Sequence, residues 1–560
     1  MMSDPYLATT AFFTELLDQG LTDILVSPGS RSTALAISAQ KTIGFKVMVH
    51  LDERSAGFWA LGIAKASNRP VVLICTSGTA AANYLPAVAE AHFSQIPLIV
   101  ITADRPLELQ DRGAGQTINQ SGIYGAHVRW ACELPIADHA SPEWFQSTAA
   151  RSFQIATGSH PGPVHLNWPL REPLEPVNKV LPKISSKPIT LTRHASVINS
   201  QALEVLQNIA NHENGLLLAG PMSTDLSEAV ASFCIKTGWP LLAEPLSQLR
   251  RQLPGVNVIS HYDHLLRTPW IERNAPTAVV RIGQPMTSKP MRLWLERHRP
   301  QHLLIGDGVA WTDASTTTTA LLDTSTEILG QVSGTGGSKD WSEKWVAADN
   351  AARVAINEVL DAGPLLEASI AREFGRSLPD SAVLYVSNSM PVRDIDSFFE
   401  ANSSNLTCFG NRGASGIDGL ISSAAGVAST GRNTTLFIGD LAFIHDVSGL
   451  LAASQHNIDL TIVVSNNNGG GIFSFLPIAQ NLDTQNFEKL FRTPQKHSVK
   501  DLSKVVQGEY TAISSLSELG DALRRSTRGL RIIEVMVNRD ANLEQHHQIT
   551  SSVSEATDCL

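Results

Sequence analysis

Short apolar runs, spaced so that one helix fits between neighbours, constrain the fold of this 560-residue chain more than any other feature. VVLIC (71 to 75), PLIVI (97 to 101), LTIVV (460 to 464) and LRIIEVMV (530 to 537) have almost no polar side, so each needs cover on both faces. Alanine-rich amphipathic stretches alternate with them. The rhythm predicts parallel sheets clothed by helices, an α/β fold. A chain this long exceeds one core, and ordinary domain size gives about three. Two segments of loop-like composition interrupt the rhythm, REPLEPVNKVLPKISSKPITLT (171 to 192) and GQVSGTGGSKDWSEKW (330 to 345). They put domain boundaries near 180 and 355, giving units 1–180, 181–355 and 356–560. The middle unit carries its own strand signals in GLLLAG (215 to 220), TAVVRIG (277 to 283) and HLLIGDG (302 to 308), so three α/β domains are expected.

Charge and composition exclude several classes. The net charge of −10 provides no general attraction to nucleic acid or anionic lipid, so clustered arginines need a local reason. The opening MMSDPYLATTAFF lacks a basic stretch followed by an apolar run, and no later stretch is long enough to span a bilayer. A cytoplasmic protein without a membrane partner is expected. Cys75, Cys132, Cys234, Cys408 and Cys559 are scattered and form no CxxC pair, which fits thiols in a reducing compartment and argues against structural zinc.

The segment from Asp440 to Gly471 holds the most informative constellation. TTLFIGD (434 to 440) reads as a buried strand ending in Gly-Asp, and DLTIVVSNNNGGGIF (459 to 473) as the next strand running into an Asn/Gly turn. HDVSGLLAASQ (445 to 455) has helical spacing, so the strands are joined by a crossover that brings both ends to one sheet edge. Asp440 and Asn467, 27 residues apart, become neighbours. One carboxylate, one amide oxygen and one turn carbonyl suit magnesium, which takes hard oxygen donors and leaves positions for phosphate and water. Gly469, Gly470 and Gly471 let backbone approach a diphosphate, and amides around Gly439 and Leu441 can donate to it. Singly, each residue has a plainer explanation, Asp440 as a helix cap and NNNGGG as a flexible turn. Spacing shifts the balance. The GDG at 306 to 308 also follows a strand, but 27 residues past Asp307 stands Gly334 in a loop, so that tripeptide is expected to be an ordinary turn.

Gly-Asp, a spacer of this length and Asn-Asn resemble the signature of the thiamine diphosphate enzymes. Their third position is glycine; here it is Leu441, as in one subfamily. The resemblance implies thiamine diphosphate with Mg or Mn held by Asp440, Asn467 and the Gly469 carbonyl, and a diphosphate contacted at Gly439 and Leu441. In HLDERSAGFWALGIAKAS (50 to 67), Glu53 matches the glutamate that sits beside the aminopyrimidine ring and promotes the tautomer that removes the thiazolium proton. Outside that context Glu53 complements a helix dipole. CTSGTAAANYLPAVAEA (75 to 91) is similar to the glycine-containing strand-helix turn of the same family domain. In GASGIDG (413 to 419), Ile417 matches the apolar residue that props the cofactor in its bent form.

SPGSRST (27 to 33), TADRPLEL (102 to 109), GQTINQ (115 to 120), GPVHLNWPLREPL (162 to 174), NSMPVRDID (388 to 396), NRGASGIDG (411 to 419) and SNNNGGGIFSFLP (465 to 477) resemble the menaquinone-pathway branch of that family. This kinship implies decarboxylation of 2-oxoglutarate and addition of the succinyl carbanion to isochorismate. By family position, Ser389, Arg393 and Arg412 bind the 2-oxoglutarate side, and Ser30, Arg31, Arg105, Gln116 and Lys289 face isochorismate. Ile472 and Phe473 form an apolar wall that excludes water. Both substrates are dianions, for which an acidic protein needs fixed cations. Relatives can carry an arginine just after the lysine where this chain has Pro290, leaving either Arg292 as a substitute or no contact there, and some have asparagine at Gly115. Family enzymes complete the site between subunits, so a homodimer or homotetramer is expected. The rival from the same family is an acetolactate synthase-like enzyme or simple 2-oxoacid decarboxylase. A non-catalytic scaffold would not require Glu53, and no GxGxxG suggests a dinucleotide dehydrogenase.

Overall fold

Each apolar run that the sequence marks as a strand is one in the computed structural model. The structure describes residues 5–560 except 177–179, 183, 185–186, 193–197, 223–224, 307, 309–310, 335–337 and 403. Three six-stranded sheets account for the strands, and all neighbouring strands run parallel. The first contains β1 (Asp23–Val26), β2 (Lys46–Val49), β3 (Val71–Cys75), β4 (Leu98–Asp104), β5 (Trp130–Glu133) and β6 (Pro163–Pro169), in the order β2-β1-β3-β4-β6-β5. The second contains β7 (Gly215–Ala219), β8 (Leu241–Ala243), β9 (Val258–Ile259), β10 (Ala278–Ile282), β11 (Gln301–Gly306) and β12 (Ala320–Asp323), in the order β12-β11-β10-β7-β8-β9. The third contains β13 (Val383–Val386), β14 (Thr407–Gly410), β15 (Thr434–Gly439), β16 (Leu460–Asn466), β17 (Glu509–Ile513) and β18 (Leu530–Met536), in the order β14-β13-β15-β16-β18-β17.

By contact the chain divides into two compact units. One comprises residues 1–194 with 411–432 and 445–459; the other comprises 195–410, 433–444 and 460–560. In the first unit, Phe145 stacks on Trp168 at 5.2 Å and Phe12 meets Trp168 edge-on at 5.3 Å, packing helices onto the first sheet. The helix Glu53–Ser67 is buried almost all round from Ser55 to Ala66, which explains why its composition is so apolar. Asp52 caps it, accepting from the amides of Arg54 at 2.9 Å and Ser55 at 3.3 Å, so Glu53 becomes its first residue.

In the second unit the helix Lys339–Ala362 corrects part of the sequence reading. Its first two turns fall within the stretch of loop-like composition, because Ser338 caps Trp341 and the turns bury Trp341 and Trp345. Trp345 meets Trp270 edge-on at 4.9 Å. Residue 355 therefore lies inside a helix. Asp307 of the GDG tripeptide lies outside the described residues; Gly334 is in a loop. Among the described residues, no helix is long and apolar enough to cross a membrane.

Candidate active site

In the second unit, β15 and β16 pair so that Gly439 lies opposite Ser465, and the residues just beyond each strand meet. Asp440 starts the helix Asp440–His445, and its Oδ2 accepts the Gly469 amide at 2.8 Å. Burial lifts the Asp440 carboxyl to about 6. The Nδ2 of Asn467 donates at 2.8 Å to Glu367, whose carboxylate also accepts from Ser465 Oγ at 3.0 Å and Asn542 Nδ2 at 2.7 Å. With its amino group committed, Asn467 turns its Oδ1 the other way, where this buried oxygen has no hydrogen-bond partner. A buried acceptor without a donor costs stability and calls for a cation or a donor. The donor set of Asp440, Asn467 and a turn carbonyl thus fits a hard divalent ion. Among the described residues, no group of three or more His, Cys, Asp or Glu could hold a metal.

The glycines of this turn are required by the chain's own packing. A Cβ on Gly469, whose φ is +136°, would lie 2.2 Å from the Arg492 carbonyl, and one on Gly471 would lie 2.3 Å from Asn467 Nδ2. Gly439 and Leu441 are half-buried at the end of β15 and the start of the next helix.

A cavity of about 380 Å³ in the same unit gathers residues that the sequence nominated separately. Lys289, Arg393 and Ile472 line it together with Asp394, Phe475 and His546. Arg393 is exposed, one turn into the helix Met390–Phe398, and donates to the Ser389 carbonyl. Ser389 caps this helix at φ +72°, ψ −130°, a strained conformation for a side-chain-bearing residue. Arg292 pairs with Glu296 along its own helix, so Lys289 is the one that reaches the cavity. Of the expected apolar wall, Ile472 lines this cavity. Gly471–Phe475 is a 3-10 helix with three residues per turn, which aligns Ile472 with Phe475 and rotates Phe473 away to meet Phe491 at 5.4 Å.

In the first unit, Glu53 is half-buried, and burial raises its carboxyl above the ordinary glutamate range. Arg105 follows β4 and donates to the Ser77 hydroxyl, which in turn donates to the Gln116 carbonyl at 3.0 Å. Gln116 returns its Nε2 to the Ser77 carbonyl at 3.0 Å. Arg31 is 7% exposed and held by the Leu170 carbonyl and Glu172 Oε1, each at 3.0 Å, while Ser30 is exposed beside it. Family position places Arg31 facing isochorismate; in the structure its guanidinium is fixed by these protein partners. Arg412 is half-buried, and Ile417 is 36% exposed. Their loop is gripped by Glu90, which accepts from the amides of Gly413 at 2.9 Å, Ala414 at 2.6 Å and Ser415 at 3.3 Å.

Glu367, the Asp394–His546 pair and Glu90 escaped the sequence reading. Glu367 opens a helix, where an acidic residue reads as a dipole partner, and Asp394 sits inside NSMPVRDID without a visible partner.

Comparison with known proteins gives the family. Three family models match in order: the thiamine pyrophosphate enzyme N-terminal TPP binding domain over residues 8–123, the middle domain of thiamine pyrophosphate enzymes over 184–386, and the C-terminal TPP binding domain over 384–535. The chain is similar to the 2-succinyl-5-enolpyruvyl-6-hydroxy-3-cyclohexene-1-carboxylate synthase of Geobacillus thermodenitrificans, at 38% identity over 97% of this chain and 96% of the relative. Proteins of the same name from Listeria monocytogenes (39%; 99% and 98% covered) and Chloroflexus aurantiacus (39%; 97% and 95% covered) are comparably similar. Among solved structures, benzoylformate decarboxylase from Polynucleobacter necessarius superposes with a TM-score of 0.73 at 18% identity, covering 95% of this chain and 98% of that one, a likeness of fold. Full-length kinship at this identity, on a chain whose strand ends carry the expected donors, establishes that it belongs to the 2-succinyl-5-enolpyruvyl-6-hydroxy-3-cyclohexene-1-carboxylate synthase family of thiamine diphosphate enzymes.

Proposed function

We propose that this chain decarboxylates 2-oxoglutarate and transfers the succinyl unit to isochorismate, giving 2-succinyl-5-enolpyruvyl-6-hydroxy-3-cyclohexene-1-carboxylate in menaquinone biosynthesis. The observation that carries this reading is the full-length match to synthases of that name. An acetolactate synthase-like enzyme or simple 2-oxoacid decarboxylase is not favoured by those relatives.

Asp440, Asn467 and the Gly469 carbonyl hold Mg or Mn, and Gly439 and Leu441 contact the diphosphate; the orphaned Asn467 oxygen supports this assignment. When bound, thiamine diphosphate supplies the electron sink for loss of carbon dioxide and for use of the succinyl unit as a nucleophile. Glu53 hydrogen-bonds the aminopyrimidine ring, and its raised pKa suits a group that exchanges a proton there. Ile417 would pack against the bound cofactor. Ser389, Arg393 and Arg412 bind 2-oxoglutarate, while Ser30, Arg105, Gln116 and Lys289 face isochorismate, with Arg31 steadying that edge through Leu170 and Glu172. Ile472 and Phe473 exclude water from the reacting carbon, with Phe475 beside Ile472 in the cavity wall. Work is divided among a pyrimidine-binding domain (1–180), a central domain (181–355) and a diphosphate-binding domain (356–560). The enzyme acts in the cytoplasm as a homodimer or homotetramer, with Glu53 serving a cofactor held by another subunit.

Incubation with thiamine diphosphate, magnesium, 2-oxoglutarate and isochorismate, followed by mass analysis, tests the reading. The expected result is isochorismate loss and the succinylated adduct. Turnover of pyruvate without any such adduct would overturn it.

A further inference from the structure

His546 occupies an unusual position in the wall of the 380 Å³ cavity. Its Nδ1 lies 2.8 Å from the Asn542 carbonyl, which can only accept, so that nitrogen carries a hydrogen. Its Nε2 lies 3.0 Å from Asp394 Oδ1. Asp394 is 2% exposed, and its other oxygen, Oδ2, is buried without a hydrogen-bond partner. The carboxylate therefore depends on His546 for compensation. Phe398 and Phe475 set their rings edge-on to the imidazole at 5.5 and 5.2 Å, leaving its side chain 14% exposed in the cavity wall.

The other charged or titratable groups around the pair come from several elements. Arg393 adjoins Asp394 and reaches the same cavity; Glu367, from the neighbouring helix Glu367–Ser377, adds negative potential. From Tyr262–Leu265 come Asp263, which is paired with Arg267, and His264, which burial keeps neutral at about 3. Lys289 comes from Lys289–His298, and His547 from the same helix as His546. Among the described residues, the helix Lys339–Ala362, which packs on the His546 helix, makes no hydrogen bond or ion pair to the imidazole. Protonated His546 cancels Asp394. Neutral His546 leaves a buried negative charge one residue from Arg393.

We propose that the His546–Asp394 pair sets the charge of the 2-oxoglutarate pocket: with His546 an imidazolium, Asp394 is neutralised and the positive charge of Arg393 acts undiminished on a substrate carboxylate, and loss of that proton adds one negative charge beside it. The inference rests on the reading that this cavity takes 2-oxoglutarate. Hydrogen bonding to Asp394 holds the His546 pKa above the ordinary histidine value, against the opposing effect of burial. The sign follows. Affinity for 2-oxoglutarate is full below the ordinary histidine range and falls as pH rises through the raised pKa. The substrate remains a dianion throughout this range and contributes no slope of its own. His546 acts through Asp394 as a positioning residue for charge.

The test is the KM for 2-oxoglutarate between pH 6.5 and 9 in the holoenzyme, with the KM for isochorismate measured alongside. In the wild type the 2-oxoglutarate KM should rise with pH, by at most about tenfold per unit as one proton permits. His546→Gln should raise it about tenfold at pH 6.5, flatten the profile and leave kcat within about threefold. Asp394→Asn should keep the KM low and flat, and the double variant should return to that low value. Fold is checked by melting; if Asp394→Asn does not accumulate, the wild-type profile against His546→Gln decides alone. A flat wild-type KM, or a KM that rises equally in both single variants, overturns the inference while leaving the proposed reaction intact. Failure of the wild type to turn over 2-oxoglutarate at any pH overturns the proposed reaction itself.

Discussion

Replacing Glu367 with glutamine should separate metal binding from stability. The carboxylate accepts three hydrogen bonds, from Ser465, Asn467 and Asn542, at 2.7 to 3.0 Å. Burial raises the Glu367 carboxyl to about 7, with Asp394 adding to the rise, even after the hydrogen bonds have drawn it down. At neutral pH that net burden is roughly 3 kcal/mol, which a neutral glutamine escapes. Against this, glutamine leaves one buried donor without an acceptor, at a cost of about 1 to 3 kcal/mol. The two effects nearly cancel, so the apo Glu367→Gln protein should melt within about 3 °C of wild type. Orientation does not cancel. A glutamine amino group cannot accept, so one of the three donors loses its partner or Asn467 flips and aims its amino group where Oδ1 pointed. Magnesium affinity, read from cofactor-induced quenching of tryptophan fluorescence across a metal titration, should fall about 10- to 100-fold, or roughly 1 to 3 kcal/mol. Wild-type metal affinity in a folded Glu367→Gln protein would refute the argument, and so would collapse of the apo fold, which would make Glu367 a stability element first.

Glu53→Gln preserves shape and should slow hydrogen exchange at the thiazolium carbon by at least about 100-fold, followed by NMR of bound cofactor; unchanged exchange would remove its assigned role. Arg393→Ala should raise the KM for 2-oxoglutarate by about 10- to 100-fold with cofactor affinity retained, whereas equal loss of cofactor binding would mark the residue as structural. Glu90→Gln weakens the grip on the amides of Gly413, Ala414 and Ser415 and should raise the 2-oxoglutarate KM by about threefold or more through Arg412; proteolysis of that loop reports the same loosening. His165 is buried beside Thr102, and burial depresses its pKa to about 4. Its share of stability is fully present above the ordinary histidine value and is lost as pH falls towards 4, by about 1 kcal/mol per unit, so His165→Gln should show a shallower decline of melting temperature with acid.

The meeting of the Asp440 and Asn467 strand ends was legible because the distances that define it are set along the chain. A strand, one crossover helix and a second parallel strand require a nearly constant number of residues, so Asp440 and Asn467 could be paired from spacing, and the Asp440–Gly469 hydrogen bond shows the two strand ends meeting. Helix Glu53–Ser67 was readable for a similar reason, since its cap and its apolar surface are local. The loop-like composition at 330 to 345 misled because burial of Trp341 and Trp345 outweighed the weak local preference of the residues around them. Phe473 was placed in the wall by family position; the 3-10 turn aligns Ile472 with Phe475 along the cavity and sets Phe473 against Phe491, an arrangement that family position does not reveal.

The sequence by itself determined the parallel α/β sheets, the adjacency of the Asp440 and Asn467 strand ends and which polar side chains stand there, because period and spacing are properties of neighbouring residues. Tertiary structure decided which way those donors face. Asn467 is oriented by Glu367, Asp394 is compensated by His546, and Arg31 is held by Leu170 and Glu172, all through partners a hundred or more residues away. A side chain's charge and polarity are written in its type, but the direction of a hydrogen bond depends on the partner, and only folding brings these partners within 3 Å of one another.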